Sequence, residues 1–323
     1  MKIDIGIINY NGGKALWQCV LSLLNQSIPL NILIFDNAST DNSLSLIESN
    51  KSCRIIRSSE NLGYAGACNK LLEQMNSEIQ VLCNMDLEFD QFWAQNLLAA
   101  FDRYPEKGSV ASLVIEKSGV VNAIGVLFEK DLFAENESSG KNISDLNIQE
   151  KEVFGCYGAV MSFRKECVEK VGLLDSSFFL FFEESEWYFR HNLAGYKTIF
   201  CPEAKVYHER SLTTIRYSPL KLFYSERNRI RTAIRLLPFV EIIKLPVYAF
   251  LRYLRMVKKG VPQKTGDGKS LSKKAVIVAL LKAWLQALVL IPKEWKVRKK
   301  YQKQYGSVSS KIKKLISKYS LSN

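Results

Sequence analysis

The chain has 323 residues, enough to bury a sizeable core in one large domain or two. Its formal net charge of +13 is uneven: residues 211–323 hold 26 Lys+Arg against 4 Asp+Glu, which leaves 19 against 28 in residues 1–210. That asymmetry implies an acidic body, residues 1–215, and a basic helical appendage, residues 216–323. Seven scattered cysteines, an odd number without a CxxC pair, argue against a disulfide framework and a cysteine zinc site, and fit a reducing compartment.

Ile3–Tyr10 is a nearly continuous apolar run and reads as a buried parallel strand. It is entered directly, without a signal-peptide pattern. The Asn11–Gly13 turn leads to a helix over Lys14–Gln26, with Leu16, Val20, Leu23 and Leu24 at helical spacing. Asn31–Phe35 is the second strand. Thr40 or Asp41 is expected to cap a helix over Leu44–Ser49. Arg54–Arg57 is a third strand, followed by the glycine-containing turn Asn61–Asn69 into a helix. Val81–Phe89 is an apolar strand that ends in Asn84, Asp86 and Glu88. The β-α-β-α order predicts an α/β fold, Rossmann-like and doubly wound, with a mostly parallel sheet.

Phe92–Tyr104 reads as a helix, Val110–Ile115 and Val120–Phe128 as strands, and polar Glu129–Lys151 as a mobile loop. Phe154–Arg164 returns to a strand pattern and Lys165–Val171 to a short helix. Aromatic Phe178–Phe182 precedes Glu183–Glu186, which turns into a helix over Trp187–Ala194. Lys197–Cys201 and Lys205–His208 are read as two strands. Beyond these, Leu220–Leu237 is arginine-rich and helical, and Lys258–Lys274 is a Gly/Pro/Lys linker. Val240–Val257 and Ala275–Ile291 are apolar but too short or too interrupted by charge to span a bilayer. They are expected to lie in a membrane interface, followed by a polybasic tail, Lys293–Lys318.

Three constellations carry chemistry. Asp36 ends a buried strand, where a carboxylate can accept a hydrogen bond from the imide N–H of uracil or thymine. The alternative is a turn-forming Asx residue. Asp86, with Glu88 as the alternative, stands where a carboxylate can hold a hard cation against a pyrophosphate. Glu183, Glu184 and Glu186 lie beside phenylalanines, where burial raises a carboxyl pKa toward that of a general base. A helix N-terminus attracts acids for a simpler reason, its dipole. Of the two histidines, His191 is expected on the surface. His208 is a candidate ligand of the same cation, or a satisfied core histidine.

Taken together, Ile7-Ile8-Asn9-Tyr10-Asn11-Gly12, Asp36-Asn37-Ala38-Ser39-Thr40-Asp41, Asn61-Leu62-Gly63-Tyr64-Ala65-Gly66, Asn84-Met85-Asp86, Gly155–Arg164, Phe181-Phe182-Glu183-Glu184-Ser185-Glu186, Val206-Tyr207-His208 and Arg227-Asn228 resemble family 2 glycosyltransferases of the GT-A fold, most closely a rhamnosyltransferase-like branch. The resemblance covers about residues 3–230. It implies an inverting, metal-dependent enzyme that moves a sugar, rhamnose by the branch, from a nucleoside-diphosphate donor to a lipid-linked or polysaccharide acceptor in cell-surface glycan synthesis. It implies Mg2+ or Mn2+ on Asp86 and His208. Donor contacts fall on Asn9, Asp36, Asn61, Gly63, Asn84 and Asp86. Glu184, with Glu183 beside it, takes the base position, and Gly158, Ala159, Glu186 and Trp187 fall in the sugar and acceptor region. Two departures stand out. Met85 replaces a common proline. Glu184 replaces an expected aspartate, so the base can shift to Glu183 or Glu186.

The expected location is the cytoplasmic face of the membrane, attached peripherally through an anionic surface, with no nucleic-acid partner. Two other classes compete. A dinucleotide-dependent oxidoreductase suits the parallel pattern, but the first turn lacks GxGxxG. A nucleic-acid-binding protein would use the basic tail, where Trp284, Trp295 and Tyr301 instead sit among aliphatic residues.

Overall fold

A computed structural model describes residues 1–48, 52–208, 218–258 and 272–321. The chain forms two compact units. The first comprises Met1–Val126, Glu135–Phe179 and Trp187–Thr213, and the second Leu127–Ala134, Leu180–Glu186 and Thr214–Asn323. The expected boundary at residue 215 and most of the expected linker over Lys258–Lys274 lie outside the described residues.

The first unit begins β1 (Ile3–Asn9), α1 (Gly13–Leu24), β2 (Asn31–Asp36), β3 (Cys53–Arg57), α2 (Gly63–Leu72) and β4 (Ile79–Asn84). β1 is buried throughout, as its apolar run requires. Its one charge, Asp4, is satisfied by backbone N–H groups of Asn76 and Ser77 and by the side chains of Ser77 and Asn31. β5 (Leu87–Phe89), α3 (Trp93–Arg103), β6 (Ser109–Ile115), β7 (Val121–Ala123), β8 (Val126–Phe128), β9 (Ala134–Asn136), β10 (Lys151–Val153), β11 (Val160–Arg164), α4 (Lys165–Val171), α5 (Glu183–Leu193) and β12 (Thr198–His208) follow. The sheet order is β10-β12-β6-β11-β4-β1-β2-β3. β4, β1, β2 and β3 are mutually parallel, and β12 is parallel to β6. β11 runs antiparallel to both β4 and β6 and joins the two parallel groups. Strand order reverses between β1 and β4, and an open α/β sheet forms its ligand crevice outside the carboxyl ends of such strands. The core lies on α1, α3 and the strands between them.

Several local expectations change. The helix over Leu44–Ser49 is a run of turns as far as Glu48; Ser49 lies outside the described residues. Asp41 bonds Gly13 N–H and Ser43 N–H instead of capping a helix, an Asx turn winning over helix initiation. Val81–Phe89 is two strands, β4 and β5, separated at Met85–Asp86, and the Val120–Phe128 strand is also two, β7 and β8. Glu129–Lys151 is no open loop: it holds β9 and a 3-10 turn, and Asp131 within it is buried. The two strands around residue 203 are one, β12, bulged between Cys201 and Lys205, where Pro202 offers no N–H. His191 is fully buried, not superficial.

The second unit is built on α6 (Pro219–Leu236), α7 (Phe239–Lys258), α8 (Lys273–Val289), α9 (Ile291–Tyr305) and α10 (Val308–Lys318). Ser218 caps α6 by accepting from Lys221 N–H, with Pro219 in the first turn. α6 is the hub against which α7, α8, α9 and α10 pack, and its arginines are internal. Arg229 and Arg252 neutralise Asp131 and Glu226, and Arg231 and Arg235 neutralise Glu294 and Glu186. No described helix is long and apolar enough to cross a membrane. Only Lys274–Val289 with Ile291–Tyr305, bent by 61°, passes that test as a pair.

Candidate active site

In the first unit the carboxyl ends of β1, β2 and β4 meet at one edge. The register sets Asn9 beside Asp36 and Ile8 beside Asn84. Asn9 is buried and its amide donates to Asp36 Oδ1 (2.7 Å), Ser43 Oγ (2.9 Å) and Ser39 Oγ (3.1 Å). That leaves Asn9 Oδ1 without a partner among the described residues. Asp36 Oδ2 accepts from Ser39 N–H. Asp36 is thus a carboxylate held in one orientation.

The next layer comes from loop asparagines. Asn37 donates to Asn61 Oδ1 (3.0 Å) and to the Gly63 carbonyl (3.2 Å), and accepts from Leu62 N–H (2.8 Å). Gly63 has φ +69°, and a Cβ there would stand 2.4 Å from the Phe179 carbonyl oxygen. Glycine is required for both reasons. The adjacent Tyr64 N–H donates to that same carbonyl, and Tyr64 OH reaches the Gly158 carbonyl at 2.6 Å. Ala159, next along, is buried and accepts from Asn84 N–H through its carbonyl. Asn37, Ser39, Ser43 and Tyr64 were not singled out from sequence. Their signal was the density of Asn, Ser and Asp directly after strand ends.

Asp86 lies between β4 and β5. Pairing of β5 with β12 sets Leu87 opposite His208 and Glu88 opposite Tyr207. His208 Nε2 therefore stands 3.7 Å from Asp86 Oδ2, with both side chains buried. This is too long for a hydrogen bond. Two donors each roughly 2.0–2.2 Å from one small divalent cation can stand up to about 4 Å apart, so the pair fits as two ligands. Asp86 Oδ1 and His208 Nδ1 are buried with no partner among the described residues. Asn122 donates to the His208 carbonyl at 2.8 Å and holds that strand end. Glu88, the alternative ligand, pairs with Lys117 on the surface and is set aside. Met85 is a core residue, and a Cβ on Gly12 would stand 2.7 Å from its Cγ.

The acidic cluster belongs to the second unit. Three phenylalanines before it carry positive φ: Phe179 (+65°), Phe181 (+63°) and Phe182 (+74°). Left-handed conformations in bulky residues cost energy and persist only where surroundings enforce them. Here Asn228 on α6 donates to the Leu180 (2.9 Å) and Phe181 (2.7 Å) carbonyls, and Lys221 lies over the Phe181 ring. Glu183 is buried with Oε2 unpartnered among the described residues. Burial, then the charge of Glu184, pushes its carboxyl well above the usual range. Burial also raises Glu184, against backbone and Ser185 hydrogen bonds and the Lys221 charge. α5 starts at Glu183, earlier than Trp187, because three acids suit a helix N-terminus.

Two residues expected in the sugar region are structural. Glu186 is fully buried, bonded to Arg235 (3.3 Å) and to Tyr301 OH, which removes it as a base. Trp187 is core: its indole donates to the Gly172 carbonyl at 2.7 Å, with its ring against Phe163 and His191.

A family model described as "Glycosyl transferase family 2" matches residues 4–172, just over half of the chain. An N-acetylglucosaminyl-diphospho-decaprenol L-rhamnosyltransferase of Mycobacterium tuberculosis is 22% identical over 241 residues, covering 66% of this chain and 77% of the relative. Among solved structures, S. aureus TarS 1-349 in complex with UDP-GlcNAc superposes with TM-score 0.58 at 15% identity, covering 97% of this chain and 92% of that one. GalNAc-T7 with UDP, GalNAc and Mn2+ superposes with TM-score 0.59 at 14% identity. It covers 74% of this chain, which spans about half (48%) of that one. These likenesses at low identity establish the fold, a GT-A-like α/β architecture.

Proposed function

We infer, because this chain belongs to glycosyl transferase family 2, that it moves a sugar from a nucleoside diphosphate to a hydroxyl on a lipid-linked or growing glycan. The carrying observation is the carboxyl-edge cluster. Asn9 and Asp36 are locked in one network, and Asp86 Oδ2 and His208 Nε2, buried and 3.7 Å apart, face one another as a ligand pair beside the β1/β4 switch. Asp36 accepts the imide N–H of a uracil or thymine base, and Asn61, Gly63 and Asn84 line the path of the donor. Asp86 and His208 would hold a divalent cation, Mg2+ or Mn2+, which would supply positive charge to the departing diphosphate.

Glu184 takes the proton of the acceptor hydroxyl, which attacks C1 opposite the leaving diphosphate and inverts it. Glu183 shares the load: two neighbouring carboxyls with raised pKa hold a proton acceptor closer to neutrality than a solvated glutamate. The attack passes through an oxocarbenium-like transition state. The transferred sugar is read as rhamnose from a dTDP donor. The rhamnosyltransferase relative, named for a lipid-linked acceptor, supports the sugar, and the branch resemblance supports the dTDP carrier. We read the work as done peripherally at the cytoplasmic face of the membrane, with residues 1–215 catalytic and residues 216–323 at the membrane.

The test is a donor screen following nucleoside-diphosphate release with and without EDTA, for the wild type and Glu184→Gln. The reading expects one preferred donor, loss of release under EDTA, and a loss of about 100-fold or more in the variant. Near wild-type turnover by Glu184→Gln removes it as base. Turnover indifferent to EDTA removes the cation.

A further inference from the structure

The charge asymmetry implied a basic helical appendage; in the structure most of its described arginines are internal, Arg255, paired with Glu129, being exposed. Arg227, Arg229, Arg231, Arg235, Arg252 and Arg298 are all buried. Beside exposed lysines, the second unit shows apolar stripes outward. On α7, Ile243, Val247, Phe250 and Leu254 recur every three or four residues and are 43–62% exposed, while Leu245, Ala249 and Arg252 face inward. On α8 the pattern repeats. Ile277, Leu281, Leu285 and Leu288 are 51–63% exposed, and the inward face is Ala279, Ala283 and Ala287, packed on α6. Surface helices of soluble domains turn their large apolar residues in and their polar residues out. These two do the reverse, each along one face, and exposed apolar stripes of this kind mark an interaction site.

Charge decides the occupant. From Lys274 to Lys318 every exposed ionisable residue is a lysine, and the single acid of that stretch, Glu294, is buried. A second copy of this chain docked through the same face would set lysine against lysine. An anionic lipid surface takes both features: phosphate opposite lysine, acyl chain opposite leucine and phenylalanine. No single described helix is long and apolar enough to span a bilayer. We propose that the outward stripes of α7 and α8 embed in the interface of an anionic membrane, the exposed lysines of α8–α10 sitting at headgroup level. Apolar insertion, rather than the buried arginines, then carries the attachment. The proposal rests on the membrane-side reading above and narrows it to these two stripes: wild type that ignores both vesicle types removes that reading, whereas double variants that float like wild type remove the stripes alone.

Vesicle flotation of the full chain tests it without any sugar donor. Wild type, Ile243→Glu/Phe250→Glu and Leu281→Glu/Leu285→Glu are mixed with phosphatidylcholine vesicles, with or without phosphatidylglycerol. Wild type should float with the anionic vesicles. Each double variant should lose about 10-fold or more in partition while keeping its circular dichroism and nucleotide binding. At about 1 M salt, where the Debye length falls to about 3 Å, wild-type binding should weaken but persist. Flotation of both variants like wild type overturns the proposal. So does complete release of wild type by salt, which would give the attachment to lysine charge alone. A wild-type dimer that ignores vesicles and is split by the substitutions assigns the stripes to a second copy and also overturns it. Wild type that resists extraction at alkaline pH contradicts interfacial seating in favour of a span.

Discussion

Arg235→Met probes the interior of the second unit. Arg235 is fully buried, between Glu186 at 3.3 Å and Glu294, whose other oxygen accepts from Arg231 Nε at 2.7 Å. Two carboxylates and two guanidinium groups are balanced there. Methionine occupies similar length but takes away the Arg235 ion pairs to both Glu186 and Glu294, while Glu294 keeps Arg231. Removing one partner of a buried pair costs about 3–5 kcal/mol, because the remaining charge has left water and lost its counter-ion. At roughly 2–4 °C per kcal/mol for a chain of this size class, the melting temperature of the second unit should fall by about 6–20 °C. Urea unfolding followed by tryptophan fluorescence, with Trp284 and Trp295 reporting on this unit, reads the change as a shift in midpoint. A loss under about 1 kcal/mol would refute the reasoning: the charges would then be solvated or paired otherwise. The same network separates the acids of α5. Glu186→Gln should lower stability yet keep turnover within about threefold, whereas Glu184→Gln should keep the fold and lose turnover.

Glu183→Gln should stabilise the protein at neutral pH, because a carboxyl whose folded pKa is raised loses stability as pH rises through that pKa; thermal melts at pH 7 and pH 4 should show the gain only at the higher pH. Gly63→Ala should cost about 2 kcal/mol or more and weaken nucleotide binding, since a positive φ and the Phe179 carbonyl oppose a Cβ; wild-type stability in a urea titration would contradict the turn geometry. His191 is held neutral by burial, its pKa lowered to about 3, so stability should fall as pH drops from about 6.5 toward 3; His191→Gln should flatten that dependence in melts across the window.

What the sequence disclosed was local. An apolar run ending in Asn9, a strand ending in Asp36 and another ending at Asn84-Met85-Asp86 could be read without coordinates. Period and strand-end chemistry are properties of neighbouring residues. The choice of Asp86 over Glu88 became geometric only through the β5–β12 register, which pairs residues more than a hundred positions apart. His191 looked superficial because its polar neighbours hid a packing of Trp187, Tyr188 and Tyr196 around the ring and Ser109 at its Nε2. Glu186 looked like a site residue because acids beside phenylalanines suggest a raised pKa, and Trp187 because the family resemblance put it in the sugar region. The partners that make Glu186 structural, Arg235 and Tyr301, lie on helices far along the chain. The burial of the α6 arginines could not be read from Leu220–Leu237 for the same reason: beside the local Glu226, their counter-ions Asp131, Glu186 and Glu294 are distant in sequence. Glu129–Lys151 read as a loop because the burial of Asp131 depends on Arg229 and Arg252.

The central claim is that Asp86, with His208 beside it, holds the donor diphosphate through a divalent cation. Equilibrium binding of a nucleoside diphosphate, measured with Mn2+ and with EDTA for the wild type and Asp86→Ala, tests it most directly. EDTA should weaken wild-type binding by about 10-fold or more, and Asp86→Ala should bind weakly and equally in both conditions. An Asp86→Ala protein that binds as tightly as wild type and still responds to Mn2+ would contradict it.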